Sequence, residues 1–145
     1  KVDQKRNMTF NPGESIDFNG NTGPFIQYTH ARIRSVIRKA GDEISILSQK
    51  VEPGSISSQK ELELIQLLHL FPDTISIAAQ THNPAEIANY TYELAKQYNQ
   101  FYHDMPILRE PNIDVRHFRL LLSLVVARVI KQAMWLLGID VPEVM

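Results

Sequence analysis

Hydrophobic residues recur at helical spacing along most of the chain, and no stretch alternates apolar and polar residues between hairpin turns. The spacing predicts long helices over residues 22–40, 83–103 and 114–138. It also predicts shorter helices over residues 58–69 and 73–79. We therefore expect an all-α fold, an antiparallel helical bundle with helices of unequal length.

Residues that favour helix N-caps mark the starts of these helices. The predicted caps are Thr22, Ser58, Asp73, Asn83 and Asp114. Ser58 and Glu61 have the spacing of a capping box, and Pro84 suits a first helical turn. Gly41 and Gly138 are expected to end the first and the last long helix, because glycine adopts the left-handed conformation of a helix end without strain.

Turn signals and prolines separate the helices. Residues 1–21 are polar and predict an irregular N-terminal arm, with one short helical turn near residues 11–14. Residues 41–57 hold a Pro-Gly pair and four serines, which predict a loop. Residues 105–113 contain two prolines and are predicted to connect the last two helices.

The helix predicted over residues 22–40 has two different faces. Its apolar arc holds Phe25, Thr29, Ile33, Val36, Ile37 and Ala40. Its opposite arc holds Gln27, Tyr28, Ala31, Arg32, Arg34, Ser35, Arg38 and Lys39. Burial does not readily explain Tyr28, since an aromatic residue among basic ones is what stacking on bases beside phosphates requires. The alternative is a solvated basic face with one exposed tyrosine.

The other two long helices are dominated by apolar stripes. The stripe over residues 83–103 and just beyond holds Ile87, Thr91, Leu94, Tyr98, Phe101, Tyr102 and Met105. Tyr98 lies in its centre and is predicted to pack, whereas Tyr102 lies at its edge near Asn99 and His103. The last helix is apolar nearly all round and is predicted to be central, with Trp135 in the core. Its remaining polar stripe consists of Arg116, Arg119, Ser123 and Lys131.

Composition narrows the function classes. The 145 residues suggest one domain, or one domain plus an arm, and a net charge of −1 means that any nucleic-acid contact must come from a local basic patch. The absence of cysteine excludes disulfides, thiolate zinc sites and cysteine nucleophiles, and leaves the compartment open. The apolar run near residues 120–127 is too short to span a bilayer. The first residue is Lys1, and we expect the chain to be a fragment of a longer protein.

No arrangement of residues predicts catalysis. The sequence has no Gly-rich phosphate loop after a strand and no G-x-S-x-G elbow. Its histidines show no pair at metal-ligand spacing on one helix, so each is interpreted as a surface or boundary residue. We therefore expect a binding module without catalytic or metal-binding residues.

Residues 17–33 read Asp-Phe-Asn-Gly-Asn-Thr-Gly-Pro-Phe-Ile-Gln-Tyr-Thr-His-Ala-Arg-Ile. This stretch closely resembles the segment that joins the catalytic domain of arginyl-tRNA synthetases to their C-terminal helical domain, roughly F-x-G-x-T-G-P-Y-L-Q-Y-A-H-A-R-I. Further stretches match in the family's order: residues 84–103, the apolar helix over residues 120–137, and residues 136–145, which are similar to L-L-G-I-x-A-P-E-R-M. The resemblance covers almost the whole chain.

The resemblance implies a class I synthetase whose all-α C-terminal domain, often named for a D-A-L-R-like motif, binds the anticodon stem and loop. Residues 1–21 would be an arm from the end of the catalytic domain, and residues 22–145 the helical anticodon-binding domain. The full enzyme, an arginine–tRNA ligase, would join arginine to its tRNA using ATP and Mg²⁺. This chain lacks the nucleotide-binding domain with its H-I-G-H-type motif, so we expect no cofactor and no activity of its own. The implied partners are an arginine tRNA and the catalytic domain of the same chain, in a cytoplasmic monomer without membrane contact.

The resemblance also implies the residues that bind the tRNA. Aromatic residues at the positions of Tyr28, Tyr98 and Tyr102 and the terminal methionine, here Met145, lie near the anticodon loop in this family. This raises Tyr98 above core packing, and Asn99 is included as its neighbour. Bases would stack on Tyr28 and Tyr102. The polar face of the first helix would touch the sugar-phosphate backbone through Arg32, Arg34, Arg38 and Lys39, and Gln27 on the same face is also predicted to bind the tRNA.

Three positions depart from the family pattern. Phe25 and Thr29 replace tyrosine and alanine on the buried arc of the first helix. Val144 replaces the arginine of the terminal motif, which puts a tail contact to phosphate in doubt but leaves the Met145 contact.

A second hypothesis from another class is a non-catalytic helical protein-interaction domain. In that case Arg116, Arg119 and Lys131 would bind an acidic partner, or the arm would mediate association.

Overall fold

The computed structural model describes residues 11–15, 20–46 and 58–145, and within them the regular structure is helical, with no strand. The helices are α1 (Pro12–Ser15), α2 (Gly23–Ala40), α3 (Glu43–Ile46), α4 (Gln59–His69), α5 (Phe71–Thr81), α6 (Ala85–Asp104) and α7 (Ile113–Leu136). The predicted all-α bundle is therefore confirmed. The helical turn predicted in the arm corresponds to α1. Most of the arm and residues 47–57 of the predicted loop lie outside the described residues.

The core is formed where α2, α6 and α7 pack on one another, with α4 and α5 against α6. Four of these helices contribute residues with no exposed surface, among them Ile33, Leu64, Leu94, Phe101, Leu120 and Ile130. The stripe predicted on α6 is buried from Ile87 to Phe101, whereas Tyr102 at its edge is exposed. This packing leaves the polar arc of α2 facing outward, beside the end of α6.

Several predicted caps are confirmed. The Thr22 hydroxyl accepts a hydrogen bond from the Phe25 N–H at 3.3 Å and begins α2, and Gly41, at φ 56°, ends it. Ser58 and Glu61 form both hydrogen bonds of the capping box at the start of α4. The helix α6 begins one residue later than predicted, after Pro84, and the Asn83 side-chain oxygen accepts from the Ala85 N–H at 3.2 Å.

Other boundaries differ from prediction. Asn112, not Asp114, caps α7, since its side-chain oxygen accepts from the Asp114 N–H at 3.0 Å. Asp73 does not cap α5, which begins at Phe71 and places Pro72 in its first turn, where a missing N–H costs no hydrogen bond. The loop predicted after Gly41 contains the short helix α3.

The α4–α5 pair contains an apolar stretch. Within the 23 residues Gln59–Thr81, an 18-residue window has a mean hydropathy of 1.2, so this stretch could cross a membrane by length and composition alone. Core helices of soluble proteins pass the same test, so a single such stretch carries little weight. The absence of membrane contact remains a prediction.

The end of α7 also differs from prediction. Trp135 was expected in the core, yet it is 70% exposed. The buried residues around it are Ile130, Ala133 and Met134, and a helix turns Trp135 away from their arc. The polar stripe predicted on α7 does not lie wholly on the surface, because Arg119 and Ser123 are buried.

A buried ion pair joins α4 to α7. Arg119 Nε donates to Glu61 Oε1 at 2.7 Å, while Arg119 Nη1 donates to the Pro106 carbonyl at 2.7 Å and to Glu110 Oε2 at 2.8 Å. The other Glu61 oxygen accepts from the Ser58 N–H at 2.9 Å. One carboxylate thus caps α4 and pairs with α7. The guanidinium also fixes the segment between α6 and α7, residues 105–112, which we call the connector.

The last residues, 139–145, form a terminal tail that runs back along α2. Gly138, at φ 72°, reverses the chain after α7, and the Ile139 N–H bonds to the Met134 carbonyl at 2.9 Å. On α2, Gln27 Nε2 donates to the Asp140 carbonyl at 2.7 Å, and Arg38 Nη1 donates to the Glu143 carbonyl at 2.9 Å. These contacts hold the tail beside the polar arc of α2.

His30 provides the buried contact of the tail and corrects the prediction of a surface or boundary histidine. It is 1% exposed, and its Nδ1 lies 2.9 Å from the Pro142 carbonyl. Because a carbonyl only accepts, Nδ1 carries the proton. Burial lowers the pKa of His30, against the opposing effects of the Pro142 hydrogen bond and the Glu143 charge. The folded state therefore favours the neutral imidazole.

We expect Arg119→Met to lower the free energy of unfolding by about 3–5 kcal/mol, because it leaves the Glu61 carboxylate buried without its partner. Urea unfolding followed by circular dichroism measures the change. The matched control is Arg128→Met on the same helix, where the side chain is exposed and the loss should stay within about 0.5 kcal/mol. Equal, small losses in both variants would contradict the structural role of the pair.

We expect His30 to make the chain less stable in mild acid. Below pH 6.5, the ordinary value, an unfolded His30 binds a proton that the folded residue resists, so stability is lost as the pH falls from there toward the lowered pKa. The contribution is at most about 1.4 kcal/mol per pH unit. His30→Gln keeps a donor without titrating and should flatten the dependence. Identical slopes for wild type and His30→Gln would contradict this account.

Candidate nucleic-acid interface

A groove of about 1050 Å³ lies between α2, the connector and the terminal tail. The α2 wall includes Tyr28, Arg32, Ser35, Arg38 and Lys39, and the opposite wall includes Tyr102, His103, Met105, Leu108 and Arg109. The tail closes one side with Val144 and Met145. The groove thus brings together Tyr28, Arg32, Arg38, Tyr102 and Met145, which the sequence predicted as site residues from three separate stretches.

Two exposed tyrosines and an arginine form the centre of the groove. Tyr28 and Tyr102 are each 41% exposed, although they lie on different helices. The Arg32 guanidinium carbon lies 4.8 Å from the centre of the Tyr28 ring and 5.4 Å from that of Tyr102. Tyr28 and Arg32 are one turn apart on α2, so the helix itself stacks them. The arrangement places a positive charge in contact with two exposed aromatic rings.

Tyr98 is placed differently from what the resemblance implied. It has no exposed surface, and its hydroxyl donates to Ser123 Oγ at 3.1 Å. Burial raises the pKa of this phenol, which stays protonated. Its ring stacks on Tyr102, with 6.5 Å between ring centres. The structure therefore corrects the expectation of a direct contact: Tyr98 supports Tyr102 from beneath.

Asn99 links α6 to α2 behind the two tyrosines. Its Nδ2 donates to Thr29 Oγ1 at 2.8 Å, and its Oδ1 accepts from Arg32 Nη1 at 2.5 Å. The Thr29 hydroxyl in turn donates to the Phe25 carbonyl at 2.9 Å. Asn99 is therefore in contact with the site through Arg32.

The remaining predicted residues of α2 contact the terminal tail. Arg34 pairs with the Glu143 carboxylate, while Gln27 and Arg38 bond to tail carbonyls as described above. Lys131 of α7 lies 3.7 Å from the same carboxylate. In this structure Gln27 and Arg34 hold the tail, and only Arg38 of these three also lines the groove. Their contacts place Met145, which is 55% exposed, at the mouth of the groove.

The sequence reasoning missed the contribution of the connector. Arg109 lies between Pro106 and Pro111, in a stretch without periodicity, so no pattern indicated which surface it would join. With Arg109 included, the lining holds four cationic side chains and the single carboxylate of Asp104. Asp104 accepts from His103 at 2.7 Å and also pairs with Lys60, which offsets its charge. The groove is therefore locally basic on a chain with a net charge of −1.

The part of the chain that the structure describes contains no group of three or more His, Asp or Glu side chains placed to hold a metal ion. The groove offers rings and cations, which suit a polyanion with stacking bases.

Comparison with known proteins identifies the family of this chain. The DALR anticodon binding domain family matches residues 26–145. An arginine–tRNA ligase of Parabacteroides distasonis is 54% identical over 143 residues, which cover 99% of this chain and 24% of the relative. The chain therefore spans about a quarter of the length of that relative.

Solved structures of arginyl-tRNA synthetases have the same fold. The Thermus thermophilus enzyme superposes with a TM-score of 0.84 at 33% identity, covering 94% of this chain and 23% of that one. The Plasmodium falciparum enzyme gives a TM-score of 0.87 at 26% identity, covering 99% of this chain and 25% of that one. These matches confirm the resemblance that the sequence motifs indicated.

The groove of tyrosines and cations, the all-α bundle and the family match over residues 26–145 lead to one conclusion: the chain belongs to the family of DALR anticodon binding domains, in the form found in arginine–tRNA ligases.

Proposed function

We propose that this chain binds the anticodon stem and loop of an arginine tRNA. The observation that carries the proposal is the position of Tyr28 and Tyr102, two exposed rings from different helices at one groove with a basic lining. Unpaired bases of a flexed loop stack on such rings, each contributing about 1–3 kcal/mol. Met145 offers an apolar contact at the mouth.

Cations on both walls of the groove would hold the sugar-phosphate backbone. Arg38 and Lys39 are exposed on α2, and Arg109 is exposed on the connector opposite. Phosphate contacts of this kind position the RNA without reading its sequence. Arg32 is half-buried against the rings and is better placed to act beside the stacked bases than on a distant phosphate.

The proposal extends to the full-length enzyme, an arginine–tRNA ligase working as a cytoplasmic monomer. Residues 1–21 would be the arm from its catalytic domain and residues 22–145 the anticodon-binding domain. We assign ATP and Mg²⁺ to the catalytic domain, which partners this one, because the sequence of this chain has no Gly-rich phosphate loop. We expect the chain alone not to activate arginine.

The alternative is a protein-interaction domain that uses the polar stripe of α7, and it requires these cations to be exposed. Arg119 is 3% exposed and pairs with Glu61, and Arg116 Nε lies 3.0 Å from Glu43 Oε2. A stripe whose central cation is buried presents no continuous basic face to an acidic partner.

We expect Tyr28→Ala and Tyr102→Ala each to weaken binding of an arginine anticodon stem-loop by about tenfold or more, because each removes one stacking platform. Fluorescence anisotropy with labelled RNA measures the dissociation constant. Trp135→Ala is the matched control, since it removes an exposed aromatic ring that does not line the groove. Unchanged binding in both tyrosine variants would contradict the stacking model. Equal affinity for a non-arginine stem-loop would favour non-specific binding.

We expect Arg109→Gln to reduce the salt dependence of binding by about one phosphate, a change of about 0.7–0.9 in the slope of log K against log salt. Arg128→Gln, which alters an exposed arginine outside the groove, should leave the slope unchanged. Arg109 is a cleaner choice than Arg38, because Arg38 also holds the terminal tail. If both variants show the same salt dependence, Arg109 does not contact the sugar-phosphate backbone of the RNA.

A further inference from the structure

Arg32 is held from behind by a side chain that faces away from the proposed RNA. Asn99 Oδ1 accepts from Arg32 Nη1 at 2.5 Å, and Asn99 Nδ2 is itself tied to Thr29 Oγ1 at 2.8 Å. Thr29 has no exposed surface, and its hydroxyl is fixed by the Phe25 carbonyl one helical turn back. The chain of hydrogen bonds therefore starts in the rigid backbone of α2 and ends on the guanidinium.

We propose that Asn99, oriented by Thr29, is a positioning residue that holds Arg32 against both Tyr28 and Tyr102. We call these five side chains the Arg32 clamp. The proposal rests on the proposed function, since it assigns the clamp to RNA binding.

The geometry explains why such a residue is needed. A free arginine side chain has many rotamers, and the two rings come from helices that are linked here only by side chains. With its guanidinium 4.8 Å and 5.4 Å from the two ring centres, Arg32 bridges α2 and α6 across the groove floor. Arg32 lies over both rings and Tyr102 also stacks on Tyr98, so bases would stack on the parts of Tyr28 and Tyr102 that stay exposed. Fixing this state before binding removes the ordering cost from the association step.

The Arg32 guanidinium still has free N–H donors when it is bound to Asn99. Arginine carries five N–H donors in a planar fork, and the bond to Asn99 uses one on Nη1. The clamp thus orients the plane of the other donors. They can meet a phosphate or the acceptor edge of a base that stacks on the neighbouring ring.

A double-mutant cycle tests the clamp in the 145-residue chain. We expect Asn99→Leu to weaken binding of the arginine anticodon stem-loop by about tenfold, and to have less than about a twofold effect when Arg32 is already methionine. Asn99→Asp keeps an acceptor for Arg32 but loses the donor to Thr29, so it should lose several-fold affinity, as Thr29→Val does. Thr29→Val should lose several-fold affinity, and Thr29→Ser, which keeps the hydroxyl, should restore it. Urea unfolding of every variant checks that each is folded.

A measurement without RNA separates this proposal from the proposed function. In NMR spectra, ring currents of the two tyrosines should shift the Arg32 side-chain resonances upfield in the wild type, and Asn99→Leu should abolish the shift. If the shift disappears but the wild type binds no stem-loop, the clamp stands and the RNA function is overturned. If the wild type binds and Asn99→Leu changes neither shift nor affinity, the clamp is overturned and the function stands. An equal loss from Asn99→Leu with and without Arg32 would also overturn it, since Asn99 would then act independently of the arginine.

Discussion

The buried pair between Arg119 and Glu61 fixes the connector and so determines the position of the groove wall opposite α2. The guanidinium binds Glu61 of α4 and also the Pro106 carbonyl and Glu110 of the connector, so three parts of the chain meet at one charge. A well-packed apolar pair could match its stability. Apolar groups would not fix the connector with the same directionality, because hydrogen bonds constrain both distance and angle. The position of Arg109 opposite α2 follows from this contact.

The helix α2 serves two purposes. Along its length Gln27, His30, Arg34 and Arg38 hold the terminal tail, which places Met145 at the groove. Tyr28 and Arg32 instead meet Tyr102 at the end of α6. Two of the four α2 cations expected at the phosphates, Arg34 and Arg38, thus hold the tail, and Arg38 and Lys39 are exposed to contact RNA.

Tertiary contacts also changed the meaning of two residues that seemed minor. Thr29, which stands where the resembling motif has alanine, is buried as its position on the apolar arc predicted. Its hydroxyl nevertheless orients Asn99 from the neighbouring helix. Trp135 was assigned to the core by the apolar residues around it, but it lies on the side of α7 that no described helix covers and is 70% exposed.

Local physics was enough to predict the helices, most caps and the unusual face of Tyr28, because periodicity and capping depend on residues within one or two turns. The motifs of the junction and of the chain end were enough for the family. The partner of each charge could not be predicted in this way. Arg119 and Arg32 both lie on polar faces of predicted helices, yet one is buried against Glu61 and the other stacks on two tyrosines. That difference arises from residues tens of positions away, which only the packing of the helices brings within hydrogen-bonding distance.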